Sequence, residues 1–71
     1  MGCAIRNRIR ELRAAHGEMT QQALADKVGV TRQTVNAIEL GKYSPTLEMA
    51  FRIAAVFGVP LDQVFQFDER A

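Results

Sequence analysis

The sequence predicts an all-α domain of five short helices spanning residues 1–71 as one unit, and three observations carry that expectation. Apolar residues recur at helical spacing along most of the chain, with no alternating run long enough for a useful strand. Threonine stands ahead of three periodic segments, at Thr20, Thr31 and Thr46, where its hydroxyl can cap a helix. Glycine follows each of these three segments, at Gly29, Gly41 and Gly58, as a helix stop, and Gly17 does the same for the segment before them.

Taken in order, Ile5, Ile9, Leu12 and His16 form a stripe on a first helix that Gly17 ends. The second follows Thr20, turns Leu24, Ala25 and Val28 inward and stops at Gly29, with Met19 placed to staple onto Leu24. The third follows Thr31, with Val30 stapling onto Val35, and closes at Gly41. After a turn at KYSP, Thr46 opens a fourth whose Leu47, Ala50, Ile53, Ala54 and Phe57 make a wide buried face. Pro60 then opens a short fifth helix using Leu61, Val64 and Phe65. The tail, residues 66–71, reads as extended or disordered.

At 71 residues the chain is near the lower limit for a self-sufficient core, and 48% hydrophobic residues favour folding over disorder. There is no apolar run of about 18 residues to span a membrane, and no secretory pattern at the start. The single cysteine, Cys3, allows no internal disulfide and no metal framework, so a cytoplasmic setting is expected. Arginines near Cys3 leave open a redox-active thiol, with an inert one favoured. Paired carboxylates, phosphate loops and Ser/His/Asp sets are missing, which argues against an enzyme and against any cofactor. His16 on an apolar face reads as a packing residue. Net charge is +1, yet it is unevenly spread: residues 1–42 hold seven Lys/Arg against four Asp/Glu, and residues 43–71 hold two against four. One electropositive half suits docking on a polyanion.

Residues 21–40, QQALADKVGVTRQTVNAIEL, set Leu24 and Val28 facing Val35 and Ile38 across a short reversal. Ala25 is small where two steeply crossing helices bring their backbones close. Gly29 stands where the chain must turn within about 3–4 residues, in a left-handed conformation cheap only for glycine. Each feature is ordinary alone, but together they specify a helix-turn-helix over about residues 20–40.

With MTQQALADKVGV, TRQTVNAIELGKYSP and LEMAFRIAAVFGVPLDQVF in view, the chain resembles the Cro/repressor-type (XRE) helix-turn-helix regulators of the short single-domain kind, over about residues 5–65. The resemblance implies a compact five-helix fold whose third helix lies in the major groove of DNA. It also implies a phosphate contact at Gln21, and a structural Arg–Glu bridge for which Arg13 and Glu39 match in position. Glu39 in the last turn of its helix opposes the helix dipole, which independently suggests a cationic partner. The connection HGEMT is one residue longer than is usual in the family, and Leu40 stands where polar residues are commoner.

On the third helix, Thr31, Arg32, Gln33 and Asn36 face outward, with Ala37 one turn further along. Arg32 can pair bidentately with guanine O6 and N7, Gln33 and Asn36 with adenine N6 and N7, and Ala37 can touch a thymine methyl. Lys42, Tyr43 and Ser44 in the following loop are placed beside Gln21 to meet phosphates. Arg6, Arg10 and Arg13 are expected on one flank of the first helix. Phe51, Val56, Phe65 and Phe67 exceed what so small a core can hide, so residues 51–67 are expected to form a homodimer interface. The function these residues predict is a homodimeric, sequence-specific binder of double-stranded DNA, a repressor acting on a palindromic operator without a small-molecule effector. The rival is an antitoxin-like or adaptor module that uses the Phe-rich surface for another protein.

Overall fold

A computed structural model describes residues 4–68, and in it the chain runs β1 (Ile5–Asn7), α1 (Ile9–Ala15), α2 (Gln21–Val28), α3 (Arg32–Glu39), α4 (Leu47–Phe57), α5 (Leu61–Val64) and β2 (Phe65–Phe67). The three threonine-led helices form where the sequence expects them. The hydroxyls of Thr20, Thr31 and Thr46 accept from the N–H groups of Ala23, Thr34 and Met49 at 3.0, 3.2 and 3.1 Å. Each satisfies one of the orphan donors of a helix start.

The helix ends are equally local. Gly41, at φ 75°, reverses the chain after α3, so that its N–H reaches the Ile38 carbonyl and the Lys42 N–H reaches that of Ala37. This paired closure satisfies two of the last carbonyls of α3 and sends the loop at Lys42 sharply away from the helix axis. The long HGEMT connection is accommodated by two successive left-handed residues, Gly17 and Glu18. Met19 is drawn back so that its N–H meets the Arg13 carbonyl at 2.9 Å.

The beginning of the chain departs from expectation. Ile5 does not lie on the first helix, and Arg6 does not share a flank with Arg10 and Arg13. Residues 5–7 form a strand instead, paired antiparallel with β2 in the register Ile5 to Phe67, Arg6 to Gln66 and Asn7 to Phe65. The cause is Asn7. Its side-chain oxygen accepts the Ile9 N–H at 3.2 Å and its amide donates to the Ile38 carbonyl at 2.9 Å. An asparagine that can bond the backbone on both sides favours a helix boundary over a helix interior. The tail correspondingly continues as strand through Phe67, which leaves α5 a single turn.

The core gathers Ile9, Leu24, Ala25, Val28, Val35, Ile38, Ile53, Ala54, Phe57 and Val64, drawn from all five helices. His16 lies over Phe57, ring centroids 5.1 Å apart, with its ring nitrogens 2.9 and 3.1 Å from the Leu12 and Phe57 carbonyls. It rests against Phe57 at the edge of the core and stays exposed. Of the buried face expected on α4, Ala50, Ile53, Ala54 and Phe57 are buried, but Leu47 is 68% exposed. Leu47 is the first residue of α4 and lies on the rim of an open groove that Leu61 of α5 also lines. No helix among the described residues is long and apolar enough to cross a membrane.

Candidate nucleic-acid interface

α2 and α3 form the paired unit that the 21–40 segment predicts. Leu24, Ala25 and Val28 on one side and Val35 and Ile38 on the other are buried, and Gly29 between them has φ 87°. The inward residues of α3 are therefore locked, and its remaining face is committed to the outside. Arg32, Gln33 and Asn36 are all exposed on that face. At about 100° per residue, Arg32 and Asn36 lie one above the other with Gln33 beside them. Ala37 is half-buried at the flank. Thr31 is exposed too, but its hydroxyl is engaged, bonding the Thr34 hydroxyl at 3.0 Å as well as capping the helix.

Behind this face runs a continuous set of polar contacts. Arg13 Nε donates to Glu39 Oε2 at 2.7 Å and Nη2 to Glu39 Oε1 at 3.0 Å, while Nη1 reaches the Met19 carbonyl at 2.8 Å. The two side chains are only 14% and 8% exposed, so this bidentate pair is shielded, unlike the exposed pairs of Arg8 with Glu11 and Arg52 with Glu48. It ties α1 to the C-terminal turn of α3 and offsets the helix dipole that Glu39 opposes. Gln21 Nε2 then donates to Glu39 Oε1 at 3.2 Å and to Asn36 Oδ1 at 3.1 Å. The set lies in a cleft of about 350 Å³ rimmed by Arg10 and Leu40.

Asn7 braces α3 from the other side by donating to Ile38, and the sequence reading passed over it. A cap-forming residue two places ahead of the first buried isoleucine was the available signal.

The loop after α3 presents Lys42, Tyr43 and Ser44, all exposed. At the start of α2 the N–H groups of Gln21 and Gln22 have no acceptor within the helix, because Thr20 takes that of Ala23. Backbone donors, a cation and two hydroxyls thus flank the outer face of α3, an arrangement suited to phosphate oxygens on either side of a groove.

The four phenylalanine-region residues expected at a dimer interface are not one patch. Phe51 and Phe67 are 55% and 67% exposed, whereas Val56 and Phe65 are partly buried against the core. Val56 stands about 140° around α4 from Phe51 and faces elsewhere. Leu47 takes its place, one turn before Phe51. Beside it opens an apolar groove of about 300 Å³ lined by Ile5, Pro45, Leu47, Ala50, Leu61 and Phe65. Cys3 lies outside the described residues, and no group of His, Cys, Asp and Glu among those described can hold a metal ion.

Fold and face together define a helix-turn-helix domain whose second helix is free to enter a groove. Comparison with known proteins agrees. The Helix-turn-helix family model matches residues 9–64. An uncharacterised helix-turn-helix-type transcriptional regulator of Archaeoglobus fulgidus is 51% identical over 65 residues, which is 92% of this chain and 91% of that one. The transcriptional repressor RstR of the cryptic phage CTXphi, from Vibrio cholerae, is 33% identical over 63 residues, 89% of this chain and 56% of that one. The crystal structure of a candidate DNA-binding protein from Bacteroides fragilis superposes with a TM-score of 0.75 at 26% identity, covering 87% of this chain and 98% of that one. The chain belongs to the XRE-type helix-turn-helix family of DNA-binding transcriptional regulators, which are not enzymes.

Proposed function

We propose that the protein is a cytoplasmic repressor that binds a palindromic operator in double-stranded DNA as a homodimer. The observation that carries base reading is the exposed set Arg32, Gln33 and Asn36, standing on a helix whose other side is locked by Val35 and Ile38. Arg32 offers a two-pronged donor to guanine, and Gln33 an amide to adenine. Thr31 and Ala37 adjoin them at the groove wall, Thr31 through its methyl group. Lys42, Tyr43, Ser44 and the backbone N–H of Gln21 hold the phosphates and fix register.

Dimerisation is supported by Leu47, Phe51 and Phe67, large apolar side chains left exposed beside an apolar groove. Phe65 lines that groove, while Val56 contributes to the core beneath. A two-fold dimer whose recognition helices stand about one DNA turn (~34–36 Å) apart would read an inverted repeat. The repressor sense rests on the phage relative of that name, and bound protein would act by occluding a promoter.

Selection of sites from a randomised duplex library at near-physiological salt tests this reading. An enriched inverted repeat is the expected result. A single enriched half-site would remove the symmetric dimer, and no enrichment at all would turn attention to the apolar strip as a site for another protein.

A further inference from the structure

α4 carries more apolar surface than the core uses. Glu48 and Arg52 are the two polar residues among its 11, and a helix that is apolar nearly all round is ordinarily covered on every side. Ala50, Ile53, Ala54 and Phe57 are buried, yet Leu47, Phe51 and Ala55 stay exposed. These three are spaced four residues apart, so they form one row along the outside of α4. Glu48 and Arg52 form a second row beside it, displaced by about 100° around the helix.

The charged row is only half satisfied within the chain. Arg52 Nε and Nη2 both donate to Glu48 Oε2, at 3.0 and 2.7 Å. Among the described residues nothing bonds Glu48 Oε1 or Arg52 Nη1, and both side chains are largely exposed.

Reversed end for end, the two rows complement themselves. Let a second α4 lie antiparallel on the first, with the two-fold axis passing at Phe51. Leu47 then falls opposite Ala55 of the second copy, and Phe51 opposite its own counterpart. A large side chain faces a small one at either end, and an aromatic pair closes the middle. Both charged rows lie on the same side of the pair. Glu48 comes within about 3 Å, along the helix, of the position facing Arg52 of the second copy, an offset that two long side chains span. The unused Glu48 Oε1 and Arg52 Nη1 can meet there, so that four alternating charges border the apolar row. A parallel pairing would instead set Leu47 on Leu47, Ala55 on Ala55 and like charge on like, which is unfavourable.

We propose that the row of Leu47, Phe51 and Ala55 is where two copies of this chain pair, α4 antiparallel on α4, and that Glu48 and Arg52 restrict the pairing to a chain with the same order of charges. The inference rests on the homodimer reading and gives it a register and a selector.

Sedimentation of the full chain over a concentration series at low salt tests it, for wild type, Glu48→Arg, Arg52→Glu and the variant carrying both changes. The two positions are exposed, so circular dichroism should show every variant folded. Each single change sets like charges across the axis and should weaken self-association by about tenfold or more. The double variant reverses the order of charges and should restore self-association, and mixing the two single variants should give a heterodimer. Single variants that associate as wild type does, or a double variant as weak as the single ones, overturn the proposal. Cross-linking checks the register independently, with Cys3→Ser as background. Leu47→Cys mixed with Ala55→Cys should form an interchain disulfide. Neither should link to itself, because like positions stand roughly 12 Å apart along the helix, beyond a disulfide's reach. Self-linking of either variant overturns the antiparallel pairing. If wild type sediments as a dimer that the single variants leave unchanged, the homodimer stands and only this surface fails. If wild type stays monomeric both alone and on the inverted repeat, the homodimer reading fails with it.

Discussion

Replacing Glu39 by alanine isolates the ion pair that anchors the recognition helix. The substitution removes two charge-assisted bonds to Arg13 and one from Gln21, and it leaves a guanidinium that is only 14% exposed with the Met19 carbonyl as its remaining partner. Truncating one partner of a fully buried pair costs about 3–5 kcal/mol, against about 0–1 kcal/mol for a surface pair. Arg13 retains some access to water, which places the cost near the lower end of the buried range. Relief of the unfavourable charge at the end of α3 returns roughly 0.3–1 kcal/mol. The expected net loss is about 2–3 kcal/mol, a large share of the roughly 4–11 kcal/mol available to a 71-residue domain. Thermal unfolding followed by circular dichroism should therefore shift down by roughly 8–24 °C. The double variant Arg13→Met with Glu39→Leu should recover most of the loss, because no charge is then left without a partner. A shift of less than about 4 °C for Glu39→Ala would refute the reasoning, since the pair would then be contributing no more than an exposed one.

Other substitutions separate base reading, helix boundaries and dimerisation. Arg32→Ala should relax preference at one base pair of each half-site by about 1–3 kcal/mol while leaving the melting temperature unchanged, as read by binding to single-base variants. Asn7→Ala should destabilise by about 2 kcal/mol in chemical denaturation, because both the start of α1 and the end of α3 lose a partner. Gly29→Ala meets nothing within 4 Å of an added Cβ, so its cost of about 1 kcal/mol should be the left-handed backbone alone. Phe51→Asp combined with Phe67→Asp should yield a folded monomer by sedimentation, with affinity lost for the inverted repeat far more than for one half-site.

Much of the fold was legible because its signals are local. Each of Thr20, Thr31 and Thr46 acts on an N–H three residues ahead, and Gly29 and Gly41 act on the turn they occupy. The outward face of α3 followed from the same periodicity that buries Val35 and Ile38. What was missed depends on distant partners. A three-residue strand carries no usable period, and the register of Ile5 with Phe67 joins opposite ends of the chain. Asn7 offered a local signal through its bond to Ile9, but its brace on α3 depends on Ile38, which lies 31 residues away. Leu47 fits the apolar stripe of α4 in sequence, yet nothing covers that turn of the helix among the described residues. The Gln21 side chain reads as a surface donor until Glu39 and Asn36 are seen on either side of it.

Whether the outer face of α3 reads base edges in the major groove is decided by a crystal structure of the protein with its selected duplex. The expected complex has the N-terminal half of α3 in the major groove, with the Arg32 guanidinium at hydrogen-bonding distance from guanine O6 and N7, and the start of α2 and the loop at Lys42 against phosphates. A duplex bound on another surface, or Arg32 resting on phosphates with no side chain of α3 at a base edge, would contradict it.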